Sequence, residues 1–227
     1  MKKFLFIGLI FAAFCAAAIP FFNASAGVET FEDSIRNGAT VLDTGSSGAY
    51  SFDKAHTFIG FRVKHMGLIE VPGYFRDFTG TVTYDAADVS KSVVEFTAKI
   101  ASVDTGAKGR NDHLQKPEFF DSEKFPEMKF KSTKIAKKGK DGRWIIISGE
   151  LTIRDVTKPI TFPAEILGFI VSERGTRMGI SAETTINRRE FGVTYDVKLP
   201  NGTPSVADMI TVTLQIEANM PAPAKTQ

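Results

Sequence analysis

The sequence predicts an all-β protein: a single antiparallel barrel of about eight strands over residues 49–219, with short helical turns in the connection from 105 to 127. Three observations carry that expectation. Beyond Tyr50, apolar and polar residues alternate with the period of two that puts one strand face in the core and the other in water. No long helical period intervenes between most of these segments, which favours direct antiparallel connections over crossover helices. The apolar positions are also rich in rings, with 20 Phe against one Trp in the whole chain. A sheet this long tends to curl, and closing it removes the edges that would otherwise recruit other strands.

Taken in order, residues 1–26 read as a secretory signal peptide: Lys2 and Lys3, an apolar run from Phe4 to Ile19, then Ala24, Ser25 and Ala26 at the cleavage point. The unbroken run is about 16 residues, shorter than the roughly 20 a spanning helix needs, so no permanent membrane span is expected. Cys15 follows the bulky Phe14, a poor context for a lipid-anchored start. Residues 27–48 mix Glu29, Glu32 and Asp33 with Gly38, Gly45 and Gly48 and form a flexible lead-in, while 220–227 form a disordered tail.

The strand faces follow from the alternation. Ile59, Phe61 and Val63 point inward, then Phe78, Val82 and Tyr84, then Val94, Phe96, Ala98 and Ile100. Later segments continue with Met128 and Phe130, with Ile147, Leu151 and Ile153, with Phe162 and Ile166, with Ile180 and Ile186, and finally with Ile210 to Ile216. Turns are expected at Lys140-Asp141-Gly142 and between Arg154 and Pro159. The stretch from Thr105 to Glu127 breaks the rhythm and reads as a lid-like connection, with helical turns near Asn111 and Phe119-Phe120.

Composition bounds the chemistry. Of 28 basic residues Lys2 and Lys3 fall in the leader, so the exported chain carries 26 against 26 acidic residues. That balance favours neither nucleic acid nor an anionic membrane as a partner. Cys15 is the one cysteine, and without the leader neither a disulfide framework nor a thiolate site is available.

Catalytic motifs are weak. Asp43-Thr44-Gly45-Ser46 and Asp104-Thr105-Gly106 match the loops of aspartic peptidases, where two carboxylates share one proton, yet the copies lack matching half-domain surroundings. No Gly-x-Ser-x-Gly elbow is present. His56, His65 and His113 are the imidazoles a zinc ion would need, but their spacing fits no compact metal motif, and no metal or cofactor is expected. Arg110, Asn111, Asp112 and His113 form the densest polar cluster, with a pairing of Arg110 to Asp112 and contact with a ligand headgroup as its two candidate uses. The rings themselves admit two readings, a solid aromatic core or the lining of a tunnel.

An ordered set of motifs between Tyr50 and Ala218 resembles the YceI-like polyisoprenoid-binding family. It comprises Phe52-Asp53-Lys54-Ala55-His56, Phe61-Arg62-Val63-Lys64-His65, Gly73-Tyr74-Phe75, Ser102-Val103-Asp104-Thr105-Gly106, Arg110-Asn111-Asp112-His113-Leu114, Phe119-Phe120-Asp121, Gly149-Glu150-Leu151-Thr152-Ile153 and Val156-Thr157-Lys158-Pro159. One departure is that Asn111 follows the motif arginine where the family often has Asp. The resemblance implies a periplasmic, lipocalin-like barrel without catalytic activity, holding an isoprenoid chain, an isoprenoid quinone tail or a fatty amide as ligand. The residues expected to meet that ligand are Phe61, Val63, Phe78, Val82, Phe96, Ile100, Phe119, Phe120, Phe130, Leu151, Ile153, Phe162 and Ile180, with Arg110, Asp112 and His113 near a headgroup. A lipid hydrolase, an aspartic peptidase using Asp43 and Asp104, and a stress-related module with a filled core stand as alternatives, and homodimerisation stays open.

Overall fold

A computed structural model of the chain describes residues 45–139 and 142–222. The leader, most of the lead-in, Asp43, the Lys140-Asp141 part of one expected turn and the end of the tail lie outside them. Within them the backbone forms one antiparallel sheet of eleven strand segments. These are β1 (Gly48–Phe52), β2 (Phe58–His65), β3 (Ile69–Phe75), β4 (Phe78–Tyr84), β5 (Val93–Lys99), β6 (Val103–Asp104), β7 (Glu127–Lys138), β8 (Trp144–Ile153), β9 (Val156–Ser172), β10 (Gly175–Asn187) and β11 (Val206–Pro221), with one helix, α1 (Lys108–Leu114).

Eleven segments make eight strands because the first three are each broken once. β1 and β2 both pair with β11, at Phe52↔Ala218 and Phe58↔Gln215, so they are two halves of one strand. β3 and β4 make the next strand, pairing with β2 and β1, and β5 with β6 the third. The ladders β5–β7–β8–β9–β10–β11 then return to the first strand and close an up-and-down barrel.

The breaks at 53–57, 76–77 and 100–102 fall side by side on adjacent strands and crease the sheet. Each is held by hydrogen bonds that replace the interrupted ladder. In the first, Asp53 Oδ1 accepts from Ala55 N at 2.9 Å, Asp53 N donates to Glu217 O at 2.8 Å, and Thr57 Oγ1 donates to the same carbonyl at 3.0 Å. The Phe52-to-His56 motif, with Thr57 after it, therefore makes a corner. At the other breaks Lys99 N donates to Asp77 O at 2.8 Å and Ile100 N to Pro126 O at 2.9 Å.

At its far end below the crease the barrel is closed and full. Tyr50, Tyr84 and Phe169 meet there with ring centroids 5.0–6.3 Å apart, and Val82, Ile135 and Met178 are buried with them. Above the crease the wall splays. β3 pairs with β6 only at Tyr74↔Asp104 and Phe75↔Val103, and the β9–β10 ladder runs from Ser172↔Gly175 to Ala164↔Ala182, although β9 reaches back to Val156 and β10 on to Asn187. Pro159 and Pro163, which cannot donate to a neighbouring strand, both sit in the half of β9 outside that ladder. The space between the splayed strands is covered by the 105–126 connection and by residues 188–205.

Candidate functional site

The splay leaves a cavity that runs from the upper barrel past the crease to Phe52, Val94 and Phe96. It holds about 170 Å³ of space for the centres of water-sized spheres, within about 1450 Å³ of non-atom space that includes its opening to solvent. Eight Phe bound it, at 52, 61, 75, 96, 119, 120, 130 and 162, with aliphatic side chains from β2, β5, β7, β8, β9, β10 and β11 between them. Thr184 and Arg188 are the polar side chains on its boundary.

Glycines explain why so many rings leave a hollow. A Cβ built on Gly73 would overlap the Phe61 ring, one on Gly80 the Phe52 ring, and one on Gly149 the Phe130 ring. Each ring therefore lies flat on a bare stretch of neighbouring backbone instead of reaching across the axis. Gly73 is the cross-strand partner of Phe61, which makes the match direct.

Two arginines hold the covers in place. Arg188, 6% exposed, begins the turn after β10 and spends its guanidinium on Ala207 O at 3.0 Å, Val193 O at 2.9 Å, Tyr195 O at 2.8 Å, Val206 O at 3.3 Å and Asp208 Oδ1 at 2.8 Å. Burial pulls its pKa down from the ordinary arginine value, and Asp208 acts in the opposite direction. Arg154 sits in the two-residue β8–β9 turn with φ +59°, a conformation that costs about 1–2 kcal/mol outside glycine. That cost is offset by bonds from its Nη1 to Pro117 O and Phe119 O at 2.8 Å and Gly192 O at 2.9 Å, which tie the first cover to the second. Phe119 stacks on Tyr195 at 4.6 Å across the same seam.

The structure places ten of the expected ligand contacts on the cavity wall: Phe61, Val63, Phe96, Phe119, Phe120, Phe130, Leu151, Ile153, Phe162 and Ile180. Phe78, Val82 and Ile100 are buried elsewhere in the core, Val82 beside its cross-strand partner Tyr50 in the filled end. Alternation assigns a face but not a level along the axis, so it could not separate these three from the wall. Arg110, Asp112 and His113 lie on α1 away from the cavity boundary. The expected Arg110–Asp112 pair is corrected: residues two apart on a helix face different ways, and Asp112 pairs with Lys108 four residues back at 2.7 Å. Arg110 donates instead to Thr105 O and Oγ1, and the His113 ring, within hydrogen-bond distance of Glu118, packs edge-on against Phe119 and Tyr195.

Asp104 is a structural carboxylate on the outer surface. The backbone N–H of Gly106, then Arg76 and Asn111, hold its pKa down at about 2, and so it stays ionised rather than sharing a proton. Asp53 is lowered to about 2 as well, chiefly by its hydrogen bond with His56 and next by Ala55 N. His56 meets Asp53 and Glu217, not the other two histidines, and Arg177 pairs with Glu217 in the same cluster. An arginine already seated on the carboxylates makes this an ion-pair network rather than a cation site.

Both aspartates titrate below their unfolded value of 3.8, so the stability they contribute is present above that value and is lost as pH falls through about 2. The unfolding midpoint should fall steeply between pH 4 and 2. An Asp53→Asn/Asp104→Asn chain should start lower at pH 7 and show a shallower acid limb in thermal melts.

Fold and site together define a class, the antiparallel barrel that encloses an apolar cavity beneath a loop cover. Comparison with known proteins gives the family: residues 50–218 match the YceI-like domain, and the chain belongs to the YceI-like family. It is 38% identical over 162 residues to Protein YceI of Salmonella arizonae, covering 69% of this chain and 83% of that one. To a protein of Serratia proteamaculans it is 39% identical over 165 residues, covering 70% and 84%. The crystal structure of the Campylobacter jejuni YCEI protein superposes with a TM-score of 0.60 at 33% identity, covering 75% of this chain and 96% of that one. A polyisoprenoid binding domain from Saccharophagus degradans shares the fold at a TM-score of 0.55 and 11% identity, covering 78% and 100%. Among the described residues no helix is long and apolar enough to cross a membrane.

Proposed function

We propose that the chain is a binding protein for a long-chain isoprenoid or a related lipid, exported to the periplasm by its N-terminal leader and acting as a carrier rather than a catalyst. The observation that supports this is the cavity: ring-lined, and bounded by apolar side chains save Thr184 and Arg188. Arg188 is fully engaged with carbonyls and Asp208, which suits a post that holds the cover rather than a group that acts on a ligand. The YceI-like membership and the fold shared with a domain named for polyisoprenoid binding agree with this reading.

Such a wall binds through area. Each methylene buried contributes about 0.8 kcal/mol, so ten supply roughly 8 kcal/mol gross, near micromolar affinity before the costs of association. Selection should follow length and apolarity more than headgroup.

The test is mass spectrometry of an organic extract from the purified protein, beside a Phe96→Asp variant. Phe96 is on the cavity wall, and a carboxylate there faces an oily interior with no partner. The wild type should release near-stoichiometric lipid and the folded variant little. Empty wild-type protein that also takes up no added polyprenyl compound would contradict the proposal.

A further inference from the structure

The inward row of β3 does not stop at the barrel's rim. Phe75 and Gly73 are buried beside the cavity, Val71 is half-buried, and Ile69 is 63% exposed. At the tip of the hairpin Leu68 is 79% exposed. On the paired strand the row Ile59, Phe61 and Val63 lines the cavity and leads to the same tip through His65, the cross-strand partner of Ile69. An apolar track therefore runs from the cavity to solvent.

This tip is fixed in place. Met66 and Gly67 turn in the left-handed region, at φ +52° and +73°, and the turn is anchored by Met66 N to Ser205 O and Leu68 N to His65 O, both 2.9 Å. Beside it Val197, also exposed, is tied by Ser205 N to Val197 O at 2.8 Å. Single exposed aliphatics are ordinary, but several on one ordered rim at the end of an apolar track mark an interaction surface.

Its charge narrows the partner. Lys64 and Lys198 are exposed beside the tip and no ion pair engages them among the described residues, whereas Glu70, across from Lys64, is held by Arg62 at 3.1 Å. Asp196 beside Val197 is likewise engaged by Arg189 at 2.7 Å, which leaves the two lysines as the uncompensated charges of the rim although the exported chain as a whole is neutral. Aliphatic side chains that reach between headgroups, flanked by lysines at phosphate level, suit an anionic lipid surface.

We propose that the β2–β3 tip, with Leu68, Ile69 and Val197 inserted and Lys64 and Lys198 over the headgroups, docks the barrel on an anionic bilayer, so that a lipid passes along the track without crossing water. Its purpose rests on the lipid-binding reading, and the test separates the two. Flotation is measured with vesicles of phosphatidylethanolamine and phosphatidylglycerol and with vesicles of phosphatidylcholine alone, alongside uptake of a polyprenyl alcohol from detergent micelles. The wild type should float with the anionic vesicles and less with the neutral ones. Leu68→Ser/Ile69→Ser and Lys64→Glu/Lys198→Glu should each lower the bound fraction by about tenfold or more while uptake from micelles is unchanged. Equal flotation of wild type and Leu68→Ser/Ile69→Ser, or no flotation of the wild type, would overturn docking. So would a shift of that variant from dimer to monomer without a change on vesicles, since the tip would then be a contact between copies. Intact flotation with no uptake from micelles would support docking and sink the binding reading instead.

Discussion

Arg188→Ala should lower the unfolding midpoint by about 10 °C or more. The guanidinium satisfies four backbone carbonyls and Asp208 in a setting shut off from water, and alanine leaves those acceptors without donors. Removing one partner from such a buried network costs about 3–5 kcal/mol, and each kcal/mol is worth about 2–4 °C in a chain of this size. Arg188→Lys keeps the charge but not the planar fork, and should recover only part of the loss. The loss should also be local: hydrogen exchange should rise first in residues 188–205 and in the Phe119 seam that this segment covers. A midpoint within a degree or two of wild type would mean that the cover is held by something else.

Gly73→Ala should weaken binding of an apolar chain by about 30-fold while leaving the barrel folded. The added methyl takes the space where the Phe61 ring lies, and the ring must swing into the void, because the other direction is the sheet itself. A ring in that position displaces two or three methylenes of a bound chain, which weakens binding by about 30-fold at 0.8 kcal/mol each. Adding Phe61→Ala to Gly73→Ala removes the obstructing ring and should return much of the affinity. Rescue by a second truncation is the signature of lost space and is not expected from general destabilisation.

Much of the fold could be read from the residues, and the reason is physical. The pleat enforces a period of two, so the inward faces of β2, β4, β5, β7, β8, β9, β10 and β11 were visible in the order in which the chain presents them. The creased first strands were harder. β1 and β6 have five and two residues, β3 carries Pro72 and Gly73 within its row, the break between β1 and β2 is bridged by side-chain bonds from Asp53 and Thr57, and a corner carries no period. Ile100 shows the same effect, since it is buried as expected but in a 3-10 turn just past β5.

The site was legible as a face and not as a depth. Period tells which way Phe78 and Val82 point, whereas the boundary between filled and hollow interior depends on Tyr50, Tyr84 and Phe169 meeting from three strands that are distant in sequence. Arg188 and Arg154 were missed because isolated arginines ordinarily read as surface, and their acceptors are carbonyls of remote segments. The signal the sequence does carry is that Gly73, Gly80 and Gly149 stand inside strand patterns, where glycine often marks the close approach of another group.

The claim on which everything else depends is that the interior binds by apolar length. It is tested most directly by measuring the affinity of the delipidated protein for a homologous series of straight-chain alcohols that differ by one methylene. If the cavity is the site, affinity should climb about fourfold per methylene and level off once the chain fills the interior. Affinity that stays flat with chain length, or that follows the headgroup instead, would contradict the account.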